Sequence, residues 1–142
     1  IAPSLVGSEM CIRDRPPCMR KAVAELSEGV NVNHFGRVFL GSMSRCIGLP
    51  VETTVDFFRN APDFSESTTT YQVNHLYERE YTPSGCSKLK INHNCAVRTG
   101  DDRLCDQPWM DHPLKYIRAK QRRRKRVEGL ENVTQEINPG DG

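Results

Sequence analysis

Long apolar runs are missing from this chain. None approaches the ~18 residues of a membrane-crossing helix, so no such span is expected. A basic stretch leading into a clean apolar run, the mark of a secretory signal, is also missing from the N-terminus. There is no Walker loop, no dinucleotide-binding glycine fingerprint, no Ser-His-Asp arrangement and no carboxylate set of the polymerase kind. No catalytic centre is therefore expected, and no internal repeat suggests a solenoid. Apolar residues make up only 37% of 142, and mean hydropathy is −0.61. One domain with a modest core follows. Small domains with lean cores are often closed by a metal or by disulfides.

Cysteine and positive charge are where the chain is rich. Cys86, Cys95 and Cys105 are spaced with eight and nine residues between them, and 67 residues separate Cys18 from Cys86. A cluster plus one distant ligand suits a site that ties two ends of a domain together. Four thiolates at one point suggest a structural zinc or a [4Fe–4S] cluster. The spacing matches neither the paired C-x-x-C zinc pattern nor the tight ferredoxin run, and does not choose between them. Without a secretory context, metal ligation is a better reading than disulfides or free thiols. The net charge is only +2, yet eight of the 20 Lys and Arg residues lie between Lys115 and Arg126, with no acid among them.

Residues 1–15, IAPSLVGSEMCIRDR, have neither helical nor strand periodicity and resemble translated adapter sequence. We expect them to be non-native, Cys11 included, and the chain to be a fragment of a longer protein starting near Pro16. Pro16 and Pro17 lead into a helix over 18–28 that Gly29 stops. Asn33 caps a second helix to about Ile47, closed by Gly48, with Phe35, Val38, Phe39, Met43 and Cys46 on its apolar side. Cys46 reads as a small core residue. Pro50 opens a third helix carrying Val51, Val55 and Phe58. A fourth spans about 68–78, with Val73 and Leu76 inward. From Tyr81 to Pro108 periodicity fails, and an organiser other than an apolar core is needed. A last helix starts near Asp111. Residues 129–142 read as a disordered tail.

Three constellations could carry chemistry. His34 and Arg37 share a face of the second helix, with Gly41 a turn further on. Gly36, costing roughly 1 kcal/mol against Ala in mid-helix, implies a close approach to the backbone there. A helix N-terminus, a His and an Arg make a phosphate site, or simply a capped surface helix. Tyr71 and His75 are an i, i+4 pair able to stack on and hydrogen-bond a base, or else to pack ordinarily. The run KYIRAKQRRRKR, Lys115–Arg126, has basic residues around most of a helix. It fits nucleic-acid binding, a targeting signal or a solvated tail, with Trp109 and Tyr116 as possible stacking partners. Asp101-Asp102 reads as a polar loop.

Several segments in order carry a family resemblance: Pro16-Pro17-Cys18-Met19, His34-Phe35-Gly36-Arg37, Ile47-Gly48-Leu49, Ala61-Pro62-Asp63-Phe64, Thr70-Tyr71-Gln72-Val73, Tyr81-Thr82-Pro83 and His112-Pro113-Leu114-Lys115-Tyr116. Over roughly residues 16–120 the chain resembles the C-terminal iron–sulfur domain of the archaeal and eukaryotic DNA primase large subunit, with an archaeal flavour. The resemblance implies a mainly α domain in two halves, residues 16–128, around a buried [4Fe–4S] cluster held by Cys18, Cys86, Cys95 and Cys105. It implies an accessory role in DNA replication, with catalysis of primer synthesis left to the small subunit. In this reading the domain holds template DNA and the 5′-triphosphate end of the RNA primer. His34, Gly36, Arg37 and Tyr71 fall at family nucleic-acid contacts, and Arg98 is a basic neighbour of Cys95. The small subunit would dock on a region N-terminal to this domain. Localisation would be cytoplasmic in an archaeon, nuclear in a eukaryote. The chain departs from eukaryotic members at Asn31, Asn33 and Leu40, which stand where those have basic residues and a tyrosine, and Gly85 replaces a Ser. The alternative is a four-cysteine zinc module that binds nucleic acid. A redox enzyme would need a substrate pocket or second cofactor that the sequence does not show.

Overall fold

A computed structural model describes residues 14–137; the expected adapter-like segment, Cys11 included, lies outside these except for Asp14 and Arg15. Among the described residues there are six helices and no strand, in agreement with a mainly α fold. They are α1 (Pro17–Ser27), α2 (His34–Cys46), α3 (Val51–Phe57), α4 (Glu66–Glu78), α5 (Cys86–Ile91) and α6 (Pro113–Ile137).

Local chemistry sets the ends. Pro17 begins α1, where a missing N–H costs nothing. Asn33 caps α2: its side chain accepts from the Gly36 N–H at 2.8 Å. Gly29 (φ +81°) and Gly48 (φ +85°) close α1 and α2 with paired hydrogen bonds back into the last turn, Val30 N–H to the Glu25 carbonyl and Leu49 N–H to that of Ser44, both 2.9 Å. The same closure ends α4 and α5 without glycine, on Glu80 (φ +53°) and His93 (φ +62°). The periodicity of 81–108 gave no sign of α5, which is six residues long and buries only Leu89. α6 spans Pro113–Ile137; of the expected tail, residues 138–142 lie outside the described residues.

Helices α1 to α4 pack on one another, with α2 touching the other three. One apolar core holds Met19 and Leu26 of α1, Phe39, Leu40 and Met43 of α2, and Val55 of α3; it extends without a break to Leu89 of α5 and Ile117 of α6. The expected two halves are thus joined through a single core. Two expectations about α2 are corrected. Phe35 is 54% exposed, and Leu40, not chosen, is fully buried. The helix is turned because Gly36 and Gly41, not Phe35, face the neighbours. A Cβ on Gly41 would stand 2.5 Å from the Leu76 side chain of α4, so glycine is what lets α4 close on α2. The Tyr77 hydroxyl fixes the other side of α4, lying 2.7 Å from both the Thr54 hydroxyl and the Leu49 carbonyl.

Candidate functional site

The close crossing of α2 and α4 leaves a groove along their N-terminal parts. One section, of about 220 Å³, is lined by His34 and Arg37 of α2 and by Tyr71, Gln72 and His75 of α4, with Tyr81 at its end. A second, of about 380 Å³, shares His34, Arg37 and Gln72 and adds Asn31, Asp63 and Thr68. Tyr71 is 73% exposed, which removes the ordinary-packing reading of this residue. His75 is exposed too, its ring 5.8 Å from that of Tyr81. The wall offers aromatic faces, amide and imidazole edges and one guanidinium, the set of groups that meets a base and a phosphate.

Arg37 is held from several sides. Its Nε donates to the Val32 carbonyl at 2.8 Å, and its terminal nitrogens reach Asn31 at 2.8 Å and both Asp63 oxygens at 3.0 and 3.3 Å. The Arg37 hydrogen bond holds the Asp63 carboxyl below the usual carboxylate range.

Gly36 does meet a close approach, but from within the chain. A Cβ there would lie 2.6 Å from Asn94 Nδ2 and 2.6 Å from Val32 Cγ1. Its N–H is spent on the Asn33 cap. Asn33 in turn accepts from Asn94 Nδ2 at 3.1 Å and donates to the Asn92 carbonyl at 3.0 Å. The N-terminus of α2 is thereby tied to the residue just before Cys95. Sequence reasoning missed Asn94 and Asp63, because both act across the fold from distant positions.

Cys18, Cys86, Cys95 and Cys105 lie near one another, around two adjoining cavities. Burial pushes the Cys18 thiol well up, and the proximity of Cys95, Cys86 and Cys105 raises it further. Cys105 is pushed up to about 11, by burial first and then by Asp102, Cys95 and Cys86. Cys86 is raised by burial and by Cys95. Cys86, Cys95 and Cys105 line a cavity of about 610 Å³ together with Arg98 and Lys90. Cys18 lines an adjoining one of about 470 Å³, which shares Ala96 and Val97 with the first. Among the described residues no three His, Cys, Asp or Glu side chains are gathered as a site for one metal ion. Arg98 thus stands with the cysteines and does not line the groove of His34, Arg37 and Tyr71. Cys46 is a half-buried thiol beside Arg45 and does not line the cysteine cavities.

The loop between Cys95 and Cys105 is shaped by carboxylates. Asp101 accepts from the Arg98 N–H at 2.9 Å, Asp106 from that of Gly100 at 2.9 Å and Asp102 from that of Leu104 at 2.9 Å. The other Asp102 oxygen takes the buried Tyr116 hydroxyl at 2.8 Å and fastens the loop to α6. Cys86 N–H donates to the Asp111 carbonyl at 2.9 Å. Asp101-Asp102 is therefore the polar loop expected of it.

The family model for the C-terminal domain of the eukaryotic and archaeal DNA primase large subunit matches residues 9–138. The chain is 45% identical over 112 residues to the DNA primase large subunit PriL of Thermoplasma volcanium, covering 76% of this chain and 34% of that protein. It is 44% identical over 114 residues to that of Thermoplasma acidophilum, covering 78% and 33%. For the PriL of Methanocella arvoryzae the figures are 41% over 112 residues, 77% and 29%. The chain thus spans about a third of the length of these relatives. No solved structure matches it. On the family match and these identities, the chain belongs to the eukaryotic and archaeal DNA primase large subunit family, within its C-terminal domain.

Proposed function

We propose that this chain is the part of a primase large subunit that holds template DNA and the 5′-triphosphate end of a nascent RNA primer, without catalysing bond formation itself. The observation that carries this reading is the groove in which His34, Arg37 and Tyr71 meet. Starting a primer requires two nucleotides to be joined with almost no duplex to grip. A module that fixes template and 5′ end supplies the missing positioning. Arg37 brings a planar fork suited to a phosphate, and exposed Tyr71 offers a stacking face. The catalytic small subunit is the partner this reading requires.

We infer further that Cys18, Cys86, Cys95 and Cys105 hold a [4Fe–4S] cluster. Four thiols lining two adjoining cavities supply the kind of donor set such a group takes, which supports this reading. Bound there, the cluster would supply a covalent cross-link between α1 and the 86–105 segment. A purely structural role is sufficient for it.

The groove reading is tested by Arg37→Ala. Affinity for a 5′-triphosphate primer–template should fall about 10-fold or more, the value of one charge-assisted hydrogen bond. Affinity for the 5′-hydroxyl version should fall much less. Equal losses on both would remove the triphosphate role.

A further inference from the structure

The basic run of α6 is not spread evenly around the helix. At about 100° per residue, buried Pro113, Tyr116 and Ile117 mark the inward side. Lys120 lies 5.7 Å from the Tyr116 ring and Arg124 pairs with Asp14, so both lie on the inward side. Lys115, Arg118, Arg122, Lys125 and Arg126 fall within an outward arc of about 100°, with Arg123 about 60° beyond it on the side of Tyr116; all six are exposed. Lys115 is paired with Asp111 at 2.8 Å. The other five have no ion-pair partner among the described residues. No residue of α6 lines the groove of Arg37 and Tyr71.

Like charges at i, i+4 repel, so this face is electrostatically costly unless an anion covers it. Its length from Arg118 to Arg126 is about 12 Å. That is the axial reach of three to four phosphates of one strand at about 3.4 Å each. Arginine dominates, which suits phosphate oxygens. Val127 is the one large apolar side chain exposed on the described part of α6, so the face has nothing to insert into a bilayer.

We propose that the outward face of α6 is a second nucleic-acid surface, one that grips the phosphodiester backbone without reading sequence. It does not require the groove to hold a triphosphate.

The test uses the full chain, purified anaerobically, and a short mixed-sequence DNA duplex with 5′-hydroxyl ends. Changing Arg118, Arg122 and Arg126 together to Gln should make the slope of log affinity against log salt shallower by about 2–3, at about 0.9 for each phosphate no longer neutralised. The matching triple change to Lys keeps the charge and should keep the slope. An unchanged slope in the Gln variant, at wild-type melting temperature, would overturn the proposal. So would an equal loss of slope in the Lys variant, which would assign the arginines a structural task. Tighter binding of the unmodified chain to soluble poly-glutamate than to the duplex would point to an acidic protein partner instead. Loss of 5′-triphosphate preference in Arg37→Ala, or its retention, leaves each of these results readable.

Discussion

Arg37 enters the groove already in possession of an anion. Asp63 contributes both oxygens to the guanidinium, and its own side chain is 65% exposed against 26% for Arg37. An incoming phosphate must share Arg37 with this carboxylate. Because the carboxyl titrates below its ordinary range, the pair persists through neutral pH and is lost only as pH falls through that lowered value. Asp63→Asn should therefore free positive charge and raise affinity for a 5′-triphosphate primer–template about 2–5-fold, the scale of an exposed ion pair. Fluorescence anisotropy with labelled primer–template reads this directly. A fall in affinity would mean that Asp63 serves to orient Arg37. At this scale the sequence made half of the site legible. His34, Arg37 and Tyr71 could be picked from helix spacing and motif, since the residues of each helix share a face at i, i+3 or i, i+4. Asp63 could not, because only the fold brings a turn residue to a helix 26 positions away.

Helix α2 is the element on which both candidate sites depend. Its cap, Asn33, is hydrogen-bonded to Asn92 and Asn94, which precede Cys95, while His34 and Arg37 leave from the same turn. Gly36 is the contact point. Placing a methyl there gains about 1 kcal/mol of helix propensity. It also drives a Cβ to 2.6 Å from two side chains, of which Asn94 is itself buried and held by Asn33. Overpacking of that kind costs about 1–3 kcal/mol and should win. Gly36→Ala should lower the melting temperature by several degrees, about 3–8 °C for a net 1 kcal/mol in a domain this small. An unchanged or raised melting temperature would show that Asn94 can move aside and that the tie is slack. The starts of α1 to α3 and the stops of α1 and α2 were legible because proline, asparagine and glycine mark them. α5 was not, since its end falls on His93 in a left-handed conformation that glycine usually signals. Phe35 misled because helical spacing alone could not show that two glycines, and not an aromatic ring, face the neighbours.

In the whole molecule a lean core runs through the helices and enters the cysteine-rich segment chiefly at Leu89. That segment is held by short polar devices: Asp102 to Tyr116, Asp106 to Gly100, Cys86 to Asp111. Cys18 is buried in α1 against the main core, and Cys95 packs at its edge. A group bound by the four thiols would cross-link the first helix to the last irregular stretch, and folding would then be coupled to its binding. The mainly α architecture was legible from periodicity. The four cysteines stood out because three cluster and one stands far upstream, although spacing left zinc and iron open. The direct test is iron, acid-labile sulfide and zinc content of the anaerobically purified chain. About four iron and four sulfide per chain is the predicted result. One zinc without sulfide, with metal exchange during purification excluded, would contradict it, as would four thiols free of any metal.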